Sequence, residues 1–147
     1  MGGTVRITVR NDAIDVNGHV RQDVYLAYAA HARWETTRLA GATHDMLRAA
    51  GIGPIDLETT VRFRHELVLG DQLDVATEFV WGEGKTFRIR QQLVRLDGVV
   101  AAEVESVGGV MDLRERRLVN DPRDAWLSVV DKPAQLNLQS THRGLQS

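Results

Sequence analysis

The sequence predicts an α+β fold, with an antiparallel sheet of about five strands packed on one long helix. Residues 25–39 repeat apolar or small side chains at steps of three and four, the stripe of a helix buried along one side. From residue 55 to about residue 113 the apolar period is two, which indicates consecutive strands. Since no helical segment separates these strands, hairpins rather than parallel crossovers should join them.

The composition excludes several classes of protein and several kinds of functional site. The chain has 147 residues, of which 43% are hydrophobic and 26% are charged, so we expect one domain over residues 1–130 and a polar tail over 131–147. A net charge of -2 argues against nucleic acid or a membrane surface as partner. With no cysteine, disulfides, thiolate nucleophiles and cysteine-based zinc sites are excluded. No apolar run is long enough to span a bilayer, and we expect a cytoplasmic protein.

The N-terminal third predicts a strand, a turn and the long helix. Thr4 to Arg10 alternates apolar and polar side chains, as a half-buried strand does. The Asn17-Gly18 pair then indicates a turn with backbone at positive φ. Asp23 is a candidate N-cap, and the helix should end near Gly41.

The remaining segments are shorter. We expect a second helix over His44 to Ala50 and strands that begin at Ile55, with a bulge at Gly108-Gly109 in the last of them. A short helix is expected around Trp126 to Val130. Beyond Pro133 the chain is polar and weakly patterned, so we expect it to be poorly ordered or to lie on a partner.

The turn before the long helix is a candidate reaction centre. It places carboxylates, among them Asp15, close to a helix start. The first turn of a helix presents unpaired N–H groups and a partial positive charge, which would stabilise an oxyanion.

The same region resembles the hotdog-fold thioesterases of the 4-hydroxybenzoyl-CoA thioesterase and long-chain acyl-CoA thioesterase type. The resemblance covers roughly residues 4–122, in order and with family-like spacing. Its matching positions are Val9, Arg10, Asp15, Gly18, His19, Val20, Tyr25, Leu26, Tyr28, Ala32, Arg33, Gly70-Asp71 and Gly84-Lys85-Thr86.

The resemblance implies a hotdog fold, in which the sheet wraps around the central helix, and hydrolysis of an acyl-CoA or acyl-carrier-protein thioester. Asp15 would attack the carbonyl carbon or activate a water, and both roles remain open. Backbone N–H groups at Gln22, Asp23 and Val24 would form the oxyanion hole. His19 is a further candidate site residue, with a structural role in the loop as the alternative.

The resemblance also places a coenzyme A site near Lys85, Thr86 and Arg88. Guanidinium and ammonium groups suit phosphate oxygens, although ordinary solvated strand faces carry the same residues. Relatives join two sheets edge to edge, so a homodimer or homotetramer is expected.

The chain departs from the family pattern at two places. Arg21-Gln22 stand where relatives commonly have asparagine, and Ala30-His31 stand where some relatives have a catalytic glutamate. Asp15 is therefore the principal acid, and a non-catalytic acyl-thioester-binding or assembly module on the same fold is the alternative function. A hotdog dehydratase is less favoured, because its histidine and acid pair is not assembled here. Neither a metal motif nor a nucleotide motif occurs, so no metal or cofactor is expected.

Overall fold

The computed structural model describes residues 3–139. Its α-helices and strands, in chain order, are β1 (Thr4–Thr8), α1 (Gln22–Leu39), α2 (His44–Ala49), β2 (Ile52–Phe63), β3 (Gln72–Val80), β4 (Thr86–Arg95), β5 (Val100–Asp112), β6 (Arg117–Leu118) and α3 (Pro122–Leu127). Two short 3-10 helices, Asn11–Ala13 and Pro133–Leu136, complete the described elements.

The strands form one antiparallel sheet in the order β1-β3-β4-β5-β2, and β6 pairs with the end of β5. Hairpins join β3 to β4 and β4 to β5, as the alternating pattern predicts. The expected hairpin between β2 and β3 is wrong, because β2 pairs with β5 at the far edge of the sheet and the two strands are not neighbours. Inward side chains on β3 and β4 are buried, among them Val75, Phe79, Phe87 and Leu93. The sheet curls around α1, so the predicted architecture is confirmed.

The core between α1 and the sheet has two apolar parts. One contains Tyr25 and Leu73 near the start of α1, and the other contains Phe79 and Trp126 near its end. Buried polar side chains also line this interior, namely Thr36, Thr37, Thr77, Gln91 and Ser106. Gln91 Nε2 donates to the Ala29 carbonyl at 2.8 Å, which ties the middle of the sheet to the middle of the helix.

The N-cap of α1 is not the residue that the sequence predicts. The helix begins at Gln22, and the N-cap is Arg21, whose side chain makes no capping hydrogen bond. Asp23 therefore lies in the first turn, where a carboxylate complements the helix dipole. The predicted end is confirmed, because α1 stops at Leu39 and Gly41 has a φ of 104°.

The predicted bulge lies on the other strand. β5 runs without interruption through Gly108 and Gly109, while the register shift falls between Asp56 and Glu58 of β2. Leu57 is thus the extra residue, and its side chain is 48% exposed. The prediction of uninterrupted alternation from Ile55 onwards is therefore wrong, because a bulge breaks the period of two.

The C-terminal segment packs more closely than predicted. α3 begins at Pro122 with Asp121 as its N-cap, ahead of the expected helix around Trp126 to Val130. Leu136 and Leu138 are buried, so the expectation of a poorly ordered chain is wrong for 133–138. Residues 140–147 lie outside the described residues, and the domain boundary at residue 130 stays a prediction.

Candidate active site

Asp15 lies in a small hairpin that joins β1 to α1. The Asp15 N–H donates to the His19 carbonyl at 2.9 Å, and the Gly18 N–H donates to the Asp15 carbonyl at 3.0 Å. Gly18 has a φ of 80°, which confirms the predicted turn conformation. The carboxylate is exposed, and its Oδ1 accepts the N–H groups of Asn17 and His19 at 2.9 and 3.2 Å. One oxygen of Asp15 therefore holds the turn, while Oδ2 makes no hydrogen bond with a described residue.

The hairpin is fastened to the connection between β2 and β3. Val20 donates its N–H to the Leu67 carbonyl at 2.9 Å, and His19 Nε2 lies 2.6 Å from Glu66 Oε2. Tyr25 Oη accepts the Leu67 N–H at 3.1 Å, and burial raises the pKa of this hydroxyl. His19 thus contacts the connection between β2 and β3 through Glu66, which fits the structural alternative, and its role in the site stays a prediction.

The first turn of α1 lies at the base of the hairpin. Arg21 donates its N–H to the Ala13 carbonyl at 3.0 Å, and its guanidinium donates to the Asp12 carbonyl at 2.8 Å. The N–H groups of Gln22 and Asp23 make no hydrogen bond with any residue from 3 to 139. The Val24 N–H, in contrast, donates to the Arg21 carbonyl at 3.0 Å. Two of the three predicted oxyanion donors are therefore available to a ligand.

The predicted coenzyme residues lie at the start of β4. Lys85 and Thr86 are exposed, and Lys85 forms no ion pair with another described residue. Arg88 is on the outer face of the sheet, where its guanidinium contacts Glu105 at 2.8 Å. Lys85 is therefore the cation of this group that remains available for an anionic ligand.

The structure separates the two predicted parts of the site. The Asp15 hairpin packs beside Asp71, which precedes the start of β3, because Val9 between β1 and the hairpin donates its N–H to the Asp71 carbonyl. Lys85 follows the other end of β3. This strand has nine residues and is therefore about 30 Å long. Within one chain, Asp15 and Lys85 cannot contact the same small substrate group.

A cavity of about 80 Å³ lies at the Lys85 end of the molecule, under the second half of α1. Its apolar lining includes Trp34, Phe79, Phe87 and Trp126. At its rim the guanidinium of Arg33 binds the carboxylate of Asp56 through two contacts, 2.9 and 3.0 Å long.

Sequence reasoning missed the cavity and most of its lining residues. Arg33 entered only as a family match, and Asp56 was not among the predicted site residues. The bulge at Leu57 is the signal that was absent, since it alters how the neighbouring side chains alternate. Trp126 was recognised only as part of a short helix.

Membrane-spanning helices and metal-binding clusters are both absent from the described residues. Among residues 3–139, no helix is both long and apolar enough to cross a membrane. Within the same residues, no three His, Asp or Glu side chains are grouped to hold a metal ion.

Comparison with solved structures shows the fold. The protein SAV2348 from Staphylococcus aureus, determined in complex with CoA, is 21% identical with a TM-score of 0.78, and the match covers 85% of this chain and 78% of that one. YbaW, described as a probable thioesterase from Escherichia coli, is 22% identical with a TM-score of 0.77, over 87% and 98% of the two chains. The 1,4-dihydroxy-2-naphthoyl-CoA thioesterase Slr0204 from Synechocystis is 15% identical with a TM-score of 0.78, over 92% and 98%.

These structural matches confirm the hotdog fold. Among curated proteins, none matches the sequence. The model of the thioesterase-like superfamily matches residues 9–134, which is most of the chain. The family match supports thioesterase activity in general terms. The chain belongs to the thioesterase-like superfamily.

Proposed function

We propose that this protein hydrolyses an acyl-CoA or acyl-carrier-protein thioester to a free acid and a thiol. The observation that carries the proposal is the exposed carboxylate of Asp15, held in a hydrogen-bonded hairpin that leads into a helix start whose Gln22 and Asp23 N–H groups have no partner among the described residues. A thioesterase needs those two elements, an activated oxygen nucleophile and donors for the oxyanion.

Asp15 acts on the carbonyl carbon either directly or through a water molecule. Its Oδ1 stays bound to the turn, which leaves Oδ2 to attack or to accept a proton. The negative charge that develops on the carbonyl oxygen is stabilised by the N–H groups of Gln22 and Asp23. His19, through Glu66, keeps the hairpin in place. The carbon–sulfur bond then breaks, and the thiolate of coenzyme A or the carrier protein leaves and takes up a proton. In the direct route water afterwards hydrolyses the mixed anhydride on Asp15 to the free acid, and in the other route the attacking water supplies the oxygen of the acid and its proton passes through Asp15 to the thiolate.

The coenzyme is held by the start of β4. Lys85 contributes its positive charge to the phosphates, Thr86 a hydroxyl, and Arg88 a guanidinium that already neutralises Glu105. Lys85 is the residue of this group best able to bind phosphate, since no described carboxylate forms an ion pair with it.

The separation of Asp15 from Lys85 supports a homodimer with shared sites. β2 is an edge strand of the sheet, and it exposes Leu57 and Phe63. If two copies of β2 pair antiparallel about a twofold axis, the Asp15 end of one subunit lies beside the Lys85 end of the partner subunit. Each site then takes its acid from one chain and its coenzyme contacts from the other.

Mixing two defective variants tests the shared site. An Asp15→Asn subunit paired with a Lys85→Ala subunit forms one site with both changes and one with neither, so a mixed dimer regains activity at low substrate concentration. Each variant dimer alone has no intact site. Activity that stays at the level of the two separate variants after subunit exchange would contradict a site shared in this way.

The alternative is a non-catalytic module that binds acyl thioesters. It is favoured by the positions of Arg21 and Ala30, where the chain departs from the family pattern. Release of thiol from a panel of acyl-CoA substrates, followed with a thiol-reactive dye, separates the two functions. The absence of cysteine removes any background from the protein. Tight binding without thiol release would support the module, and a cytoplasmic location stays a prediction for either function.

A further inference from the structure

Arg116, in the hairpin of residues 112–117 that joins β5 to β6, has a backbone conformation that favours glycine. Its φ is 59°, and among residues 3–139 the only other non-glycine residue with a positive φ is Asn137. The Asn137 side chain has a structural use, since its Oδ1 accepts the Phe79 N–H at 2.8 Å. The Arg116 side chain is exposed and makes no hydrogen bond or ion pair with a described residue. Contacts within the described chain therefore do not explain an arginine at this position, and strained residues concentrate at functional sites.

The hairpin presents guanidinium groups to solvent on a backbone fixed by hydrogen bonds. Asp112 Oδ1 accepts the N–H groups of Arg114 and Glu115, both at 2.9 Å, and the Asp112 carbonyl accepts the Arg116 N–H at 2.7 Å. Arg114 forms no ion pair with a described residue, and the Arg117 guanidinium lies 3.9 Å from the Glu115 carboxylate. Arg114 and Arg116 are therefore exposed cations that an anionic ligand can reach.

The hairpin lies beside Lys85, the cation of the proposed coenzyme site. A Cβ built on Gly109 of β5 would lie 3.3 Å from the Lys85 carbonyl oxygen and 2.9 Å from Leu118 Cδ2 of β6. Since β2 occupies one edge of β5 as far as Asp112, β6 continues along the edge that β4 occupies up to Gly109. Asp112, which pairs with Arg117, is about 10 Å beyond Gly109 along the strand. Lys85 and the arginines of the hairpin therefore lie next to each other at the same end of the sheet.

We infer that this hairpin binds the 3′-phosphate of coenzyme A through Arg114 and Arg116, while Lys85 contacts the pyrophosphate. The inference rests on the proposed function, and it selects coenzyme A rather than a carrier protein as the thiol that is released. Coenzyme A carries a phosphate monoester on its ribose in addition to the pyrophosphate, whereas the prosthetic group of a carrier protein has a single phosphodiester. Two neighbouring sets of cations suit two separate phosphate groups, and a guanidinium matches phosphate oxygens bidentately. Both contacts are made by the nucleotide end of the substrate, remote from the thioester.

Arg116→Gly separates the binding role from the fold. Glycine adopts a positive φ without the steric cost that arginine has, so the melting temperature of this variant should not fall. The same substitution removes the guanidinium. A purely structural role of Arg116 predicts the reverse, a lower melting temperature with unchanged recognition of the 3′-phosphate.

Isothermal titration calorimetry of the complete protein with coenzyme A and with 3′-dephospho-coenzyme A tests the inference without any catalysis. The two ligands differ only in the 3′-phosphate. We expect the wild-type protein to bind coenzyme A about fivefold more tightly, and this preference should shrink at high salt because the arginines are exposed. Arg116→Gly should reduce the preference, and the double variant Arg114→Ala/Arg116→Gly should abolish it.

Two further variants serve as controls. Arg62→Ala removes an exposed arginine near the end of β2 that is distant from the hairpin, so the preference for coenzyme A should keep its wild-type value. Lys85→Ala should weaken the binding of both ligands by the same factor, since both contain the pyrophosphate. Loss of the preference in Lys85→Ala would assign the 3′-phosphate to Lys85 and overturn the role of the hairpin.

Equal affinities of the two ligands for the wild-type protein, or no measurable binding of either, would overturn the inference whether or not the variants fold. An undiminished preference in the double variant would overturn it as well. So would a double variant that slows the hydrolysis of an acyl-carrier protein but not of acyl-CoA, because the hairpin would then contact the carrier protein. Absence of thiol release from acyl-CoA would count against the proposed hydrolysis, while the calorimetry would still decide the role of the hairpin.

Discussion

Asp15 Oδ1 accepts the backbone N–H of His19 at 3.2 Å, so the proposed catalytic carboxylate also closes its own turn. Asn17 donates a second N–H to the same oxygen at 2.9 Å. An asparagine at position 15 keeps an acceptor oxygen for both donors. The chemical and structural roles of Asp15 can therefore be separated by one substitution.

Asp15→Asn should lower kcat by at least about 10²-fold, the lower part of the range typical for positioned general bases. The melting temperature should change little, because the turn keeps its acceptor. Both are measured on one preparation, by thiol release and by thermal unfolding. Asp12→Asn is the matched control, since Asp12 is an exposed carboxylate of the same loop paired with Arg10. Near wild-type turnover in Asp15→Asn would contradict the proposed catalytic role of Asp15.

Lys85→Ala should raise KM much more than it lowers kcat. A phosphate contact remote from the thioester is made equally in the ground state and the transition state. Steady-state kinetics with one acyl-CoA measures both constants. Lys132→Ala, which removes another exposed lysine, should leave both unchanged. A collapse of kcat at constant KM would assign Lys85 a different role.

The protein should sediment as a homodimer or a larger even assembly at micromolar concentration, rather than as the 16.4 kDa chain. Leu57→Asp places a charge on the proposed β2 seam and should shift the population towards monomer. Leu96→Asp is the control, since Leu96 is 50% exposed in the β4–β5 hairpin, away from this edge. A wild-type protein that sediments only as monomer would contradict the dimer and the shared site together.

Gly41→Ala should destabilise the fold by about 2 kcal/mol or more. A Cβ at this position would lie 2.2 Å from Asp131 Oδ1, and the φ of 104° is unfavourable for alanine. Gly51→Ala is the matched control, because it has a φ of 75° and no atom within 4 Å of the built Cβ. Urea unfolding should show a smaller loss of unfolding free energy for Gly51→Ala. Equal losses in the two variants would mean that the clash with Asp131 does not contribute to the destabilisation.

Acid should weaken the link between β1 and β3. The Arg6 guanidinium, 2.9 Å away, lowers the pKa of Asp74 below the ordinary aspartate value. The stabilisation is complete above the pKa of the unfolded state, about 3.9, and is lost as pH falls through the lower folded pKa. Urea unfolding at pH 6 and pH 3 should show a smaller acid loss in Asp74→Asn than in the wild-type protein. Glu78→Gln, on the same strand but without an ion pair to a described residue, should lose as much as wild type.

The features predicted correctly from the sequence depend on local interactions. Alternation through Leu73, Val75 and Phe79 predicts β3 because a period of two follows from strand geometry. Gly18 has the positive φ that the Asn-Gly pair indicates, and α1 ends beside Gly41 as expected. The hairpin that holds Asp15 closes through hydrogen bonds within five residues, so its turn conformation could be predicted from neighbouring residues. The catalytic role of Asp15 stays a prediction.

Only the tertiary structure decided where the long-range features lie. The bulge at Leu57 depends on the register of β2 against β5, and the cavity requires α1, α3 and four strands to meet. Trp126 Nε1 is enclosed by residues distant in sequence and has no hydrogen-bond partner among residues 3–139. The distance between Asp15 and Lys85 likewise depends on the course of β3 through the sheet. Register and packing depend on contacts between remote segments, and the local pattern of apolar residues does not determine these contacts.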